Sequence, residues 1–191
     1  YCAVLVKNVN STHVNFVLYS DNFGESWTVL GGAEVSPIPS GGDEPKAEEL
    51  PDGSVIISSR TSGGRIYNIF SYTDSKKAEG SWGTAQYSNA SNNGTIAVNN
   101  STNGEILFVP AKRTADDKKV YLAFQSVPLG SGRANVGIYY KELETLADFV
   151  TPQAIAADWD GRHQSSYLSG AYSTMCLQKD NNIGFLYEED T

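Results

Sequence analysis

Apolar residues along this chain come in short runs divided by polar turns. Within many runs apolar and polar positions alternate, the period of an extended strand with unlike faces. Residues 1–6 and 13–19 read as two strands across an Asn-rich turn, and 28–30 as a third. The segment 31–42, with several glycines and two prolines, reads as a loop. Residues 43–60 read as a hairpin about Pro51-Asp52-Gly53, because proline presets φ and glycine accepts a positive one. The β-branched run Val55, Ile56, Ile57 supports its second strand. Further strands are predicted over 65–73, 96–99, 105–110, 120–127 and 135–143, with a last hairpin over 172–178 and 183–187. Residues 74–82 read as a polar turn ending in tryptophan. Only 142–157 reads as helical, interrupted by Pro152.

This succession predicts an all-β fold. A weak repeat is visible: strand, strand, polar turn, then a strand closed by Trp27 or Trp82. A period of about 40–60 residues with four short strands each points to a β-propeller, with a large β-sandwich as the other reading of the pattern alone.

The chain of 191 residues is long enough for one sizeable core. Its net charge of −8, from 22 acidic and 14 basic residues, argues against nucleic acid as a partner. No apolar run is long enough for a membrane-spanning helix. An anionic ligand would be repelled overall and would need arginines placed locally. Cys2 and Cys176 make no metal-ligand pattern and, lying in apolar runs, are expected to be buried free thiols. Two histidines, His13 and His163, make a histidine-rich metal site improbable, and no cofactor is implied. Residues 1–6 read as a strand rather than a leader, and both chain ends read as cuts inside a larger domain. Asn10 and Asn89 begin Asn-x-Ser/Thr sequons.

A hairpin brings its far ends together, so Glu44 and Arg60 are expected at one rim of a sheet. That pairing reads either as a surface ion pair, worth about 0–1 kcal/mol, or as half of a site.

Four segments in order then carry a resemblance. SDNFGESW, residues 20–27, resembles the Asp-box turn of sialidases, with Asn22 in place of its aspartate. DEPKAEELPDGSVIISSR resembles the sialidase segment with a glutamate, an ELPDG turn and an arginine sixteen positions later, here Glu44 and Arg60. Arg133, in GSGRANVGIYYKEL, precedes a strand as the family's third substrate-binding arginine does. GAYSTM, residues 170–175, resembles the segment around the family's tyrosine nucleophile, here Tyr172. The resemblance is to bacterial exo-α-sialidases with Asp-box repeats, of a Bacteroides-like type.

The resemblance implies a six-bladed β-propeller of which this chain carries about four blades, lacking N-terminal blades and the closing strands. It implies sialylated glycans as partners and a secreted or periplasmic location, and it admits a second polypeptide completing the propeller. Arg60 and Arg133 are implied members of a three-arginine clamp on the sugar carboxylate, a task suited to a fork that is always charged. Tyr172 is the implied nucleophile and Glu44 its base, because an anionic nucleophile would be repelled by that carboxylate. Arg65, Arg113 and Arg162 have no motif support and are expected on the solvated surface, and Glu48 and Glu49 are expected to be structural or solvated. No segment matches the family's first clamp arginine or its acid/base aspartate. Hydrolysis, transfer to another sugar and non-catalytic sialoside binding are the functions to separate.

Overall fold

The computed structural model describes residues 1–7, 9–38 and 40–190. Asn8 in the first turn, Pro39 in the long loop and Thr191 at the end lie outside the described residues. Four antiparallel sheets follow one another along the chain, each from contiguous sequence. The first holds β1 (Cys2–Lys7), β2 (His13–Tyr19) and β3 (Thr28–Val29). The second holds β4 (Asp43–Glu49), β5 (Val55–Thr61) and β6 (Gly64–Asp74), with β7 (Glu79–Trp82) and β8 (Gln86–Ser88) sharing the far side of β6. The third holds β9 (Ile106–Lys112), β10 (Lys119–Gly130), β11 (Ala134–Leu143) and β12 (Gly161–Gln164). The fourth is the hairpin β13 (Ser173–Leu177) and β14 (Ile183–Tyr187). Among the described residues the sheets do not close into a ring.

The sheets pack face to face in chain order, which explains their sequence patterns. In β5, Val55 and Ile57 join a core with Val17, Leu30 and Ile38 from the first sheet and its following loop. Ile56, on the opposite face, joins Ile106 and Phe108 of the third sheet. A strand buried on both faces has no polar side at that level, so β5 opens on the unbroken apolar run Val55, Ile56 and Ile57. In β9, Ile106 and Phe108 face the second sheet while Leu107 and Val109 pack on Met175 of the fourth. Each such buried side chain contributes about 1.5–3 kcal/mol relative to exposure.

The turn at 20–27 is built on Asn22. Its Oδ1 accepts from the Ser20 hydroxyl at 2.9 Å and from the Ser26 amide at 3.0 Å. The Trp27 indole donates to the Gly24 carbonyl at 3.2 Å. The Trp82 indole donates to the Leu30 carbonyl at 3.1 Å and so ties the second sheet to the first.

Several expectations need correction. Residues 96–99 form no strand: Ala97 makes an isolated bridge to Gly63 and the chain then turns. The tryptophan at the end of the 74–82 turn belongs to β7. Pro152 starts α1 (Pro152–Ala156) rather than interrupting a longer helix, since a first-turn residue needs no N–H bond. Cys2 and Cys176 are exposed, not buried. Along β13, Ser173 and Met175 face inward, so alternation turns Cys176 outward.

Candidate active site

The hairpin β4–β5 pairs Asp43 with Arg60, and its register then shifts between Asp43 and Lys46. Glu44 occupies this bulge with φ of 36°, a left-handed conformation that side chains rarely adopt. Its amide donates to Asp43 Oδ1 at 2.8 Å, which holds the bend. The bend aims the carboxylate at two partners. Glu44 Oε2 lies 2.7 Å from Arg60 Nη1. Glu44 Oε1 accepts from the Tyr172 hydroxyl at 2.8 Å. Arg60 Nη1 in turn donates to the same phenol oxygen at 3.3 Å. The ion pair and the half-site weighed at this rim are thus one arrangement, and Glu44 and Arg60 share partners instead of having separate ones.

Arg60 also donates through Nε to Ser101 Oγ at 2.9 Å, which leaves Nη2 without a partner among the described residues. Tyr172 sits one residue before β13, and its backbone bonds both ways to Glu188. Arg133 lies at the end of the turn between β10 and β11 with φ of 60°. Its amide donates to Asn100 Oδ1 at 2.8 Å. Its guanidinium lies 5.7 Å from the centroid of the Tyr172 ring, over the face and not at the hydroxyl. Two of the four residues therefore rest in backbone conformations that cost energy, each held by a side-chain acceptor.

The electrostatics keep the carboxylate ionised. Partial burial pushes the Glu44 carboxyl up, but the Arg60 guanidinium, the Tyr172 hydroxyl and the charge of Arg133 outweigh it. It titrates below the ordinary glutamate range. Burial pulls Arg60 down, but its bond to Glu44 more than compensates, so it stays charged. The four side chains come from three sheets and meet between two clefts. One, of about 320 Å³, is lined by His13, Asp43, Arg60, Ser62 and Ser101. The other, of about 370 Å³, is lined by Asn103, Tyr172, Thr174, Tyr187 and Glu188.

Arg113, Arg162, Glu48 and Glu49 make none of these contacts. Arg113 pairs with Asp116, Glu142 and Glu144, and the exposed Arg162 reaches the Tyr139 hydroxyl. Glu49 is exposed, while burial together with Glu105 and Glu49 raises the Glu48 carboxyl to about 7. Arg65 overturns its expectation: it is wholly buried. Sequence reasoning also missed Asn100, Ser101 and Asn103, which touch or support the site from an Asn-rich segment that carried only a turn signal. Among the described residues no group of three acidic, histidine or cysteine side chains could hold a metal.

No protein-family model and no curated protein matches this chain. Solved structures do match. The intramolecular trans-sialidase from Ruminococcus gnavus, in complex with oseltamivir carboxylate, superposes with a TM-score of 0.67 at 22% identity over 98% of this chain. The leech intramolecular trans-sialidase complexed with 2,7-anhydro-Neu5Ac superposes with a TM-score of 0.66 at 20% identity, also over 98%. This chain spans 36% and 26% of those two chains. The chain therefore has a sialidase-like, nearly all-β fold.

Proposed function

We propose that this chain carries much of the active site of a retaining exo-α-sialidase, built on a six-bladed propeller of which it supplies about four blades. The observation that carries the reading is the Tyr172 hydroxyl held between Glu44 Oε1 at 2.8 Å and Arg60 Nη1 at 3.3 Å. A phenol is a weak nucleophile until a base takes its proton. Here a carboxylate stands ready to take it, and a guanidinium offsets the negative charge that develops on the oxygen.

On this reading the substrate carboxylate sits on Arg60 Nη2 and on Arg133. Tyr172 Oη attacks the anomeric carbon while Glu44 accepts the phenol proton. The bond to the leaving oxygen breaks, and that oxygen takes a proton from an acid. Water then displaces the tyrosine: the water's proton goes to the deprotonated acid, and Glu44 returns the phenol proton to the tyrosine oxygen, with overall retention. The acid and the first clamp arginine match no position in this sequence. The proposal assigns them to further sequence of the same fold or to a second polypeptide, and a secreted or periplasmic setting suits a glycan substrate.

Transfer of the sialyl group within the substrate is the second reading, because the two solved structures compared above are intramolecular trans-sialidases. It uses the same four residues and differs in the acceptor. Incubating the chain, alone and joined to the sequence that completes the domain, with a fluorogenic sialoside tests the proposal. The completed domain should release the fluorophore and the chain alone should not. Full turnover by the chain alone would defeat the assignment of the acid elsewhere, and none by the completed domain would defeat the sialidase reading. Free sialic acid as product supports hydrolysis, whereas an anhydro sugar supports the second reading.

A further inference from the structure

Arg65 is the largest charged group in the core, with none of its surface exposed. No carboxylate among the described residues pairs with it: Nε donates to Ser58 Oγ at 3.0 Å, Nη2 to the Ser58 carbonyl at 3.1 Å and the Gly104 carbonyl at 3.4 Å, and Nη1 to the Thr102 carbonyl at 2.9 Å. Burial pulls its guanidinium down to about 10, so it remains charged at neutral pH. Burying a cation against neutral acceptors alone is costly, and an apolar side chain would fill the same volume without that cost. The bonds account for its presence: two of them fix carbonyls in a stretch that has no strand ladder of its own.

That stretch, residues 100–105, alternates between core and site. Asn100 Oδ1 accepts from the Arg133 amide at 2.8 Å. Ser101 Oγ accepts from Arg60 Nε at 2.9 Å. Asn103 Oδ1 accepts from the Ser173 amide at 3.3 Å, next to Tyr172. Between these, the Thr102 and Gly104 carbonyls point back to Arg65. One segment thus touches the supports of Arg60, Arg133 and Tyr172, which come from three different sheets, and one guanidinium anchors that segment. The anchor is itself braced, since the Ser58 hydroxyl donates to Gln125 Oε1 at 2.8 Å and Gln125 reaches the Glu105 carbonyl at 2.9 Å.

We infer that Arg65 is a positioning residue, which holds the 100–105 segment so that Arg60, Arg133 and Tyr172 keep a common geometry. The inference rests on the sialidase reading only for the choice of sugar probe. A lysine at 65 would keep the charge but could not bridge Ser58 and two carbonyls with one planar fork. The test compares the protein with its Arg65→Lys variant by two readouts: hydrogen exchange at Arg60 Nε–H, followed by ¹⁵N NMR, and affinity for N-acetylneuraminic acid.

The expected result is exchange faster by about tenfold or more and binding weaker by about tenfold, with the amide spectrum of β5 and β6 preserved. A folded Arg65→Lys protein with unchanged exchange overturns the inference. If the unaltered protein does not bind the sugar, the sialidase reading fails, while the exchange readout still decides the role of Arg65. If Arg65→Lys does not fold, Ser58→Ala decides: it removes one acceptor of the fork, so faster Arg60 exchange supports the inference and unchanged exchange overturns it.

Discussion

Tyr172 and Glu44 lie 128 positions apart in sequence, yet the phenol hydroxyl donates to Glu44 Oε1 at 2.8 Å. The contact joins the second sheet to the start of the fourth. It depends on a bulge that places Glu44 at φ of 36°. Glu44→Gln keeps the shape and removes the carboxylate proposed as the base. We expect turnover of a sialoside by the completed domain to fall by about 10²–10⁴-fold, the usual contribution of a positioned base, with little change in KM. Steady-state kinetics check this, and unchanged turnover would remove Glu44 from the mechanism.

The pH profile follows from the direction of the Glu44 shift. A carboxyl held below its usual range stays ionised to lower pH, so the acid limb of the activity profile should lie below that of an ordinary glutamate. The charge of Arg133 helps to lower it. Arg133→Gln should therefore move the acid limb to higher pH, and a limb that moves down or stays would contradict this account. The stability contributed by the same group is present above its unfolded titration and is lost as pH falls through the folded one. With its side chain one-third exposed, that contribution is small.

Arg60 spends its fork on three internal partners, Ser101, Glu44 and Tyr172. Arg60→Lys preserves the charge and loses the fork. A loss of about 1.5–3 kcal/mol is expected for a hydrogen bond to a charged group, or roughly tenfold to a hundredfold in affinity for free sialic acid. Calorimetric titration measures it, and an affinity within twofold of the unaltered protein would show that the charge alone suffices.

The stacked sheets make a separate prediction. Ile56 and Ile57 are neighbours that face opposite ways, and both are fully buried. Either residue changed to alanine should cost about 2–5 kcal/mol in denaturant unfolding. A sheet with one wet face would show the cost at only one of the two.

Much of this architecture was legible because apolar runs mark strands whether one face or both are buried. His13–Tyr19 and Ile183–Tyr187 form at the predicted bounds. The short strands β8 and β12 were not legible: Gln86-Tyr87-Ser88 and Gly161-Arg162-His163-Gln164 are polar segments at sheet edges, where no apolar period is required. Arg65 was read as a surface residue because a lone arginine in a strand usually is one. Its acceptors include two carbonyls from residues about forty positions away, which no local pattern announces. The approach of Glu44 to Arg60 was visible in the hairpin, but the shared contact with Tyr172 needed the packing of separate sheets. Asn100, Ser101 and Asn103 carried no signal beyond a turn, because polar residues in a non-repetitive segment look alike whether they face solvent or a site.

The central claim is that the Tyr172 oxygen forms the bond to the sugar. The most direct measurement is the turnover of Tyr172→Phe in the completed domain on a fluorogenic sialoside. The fold should persist, because the ring and the backbone bonds to Glu188 remain. Turnover should fall by about 10³-fold or more, as removal of a nucleophile does elsewhere. Unchanged turnover in a folded Tyr172→Phe protein would contradict the claim.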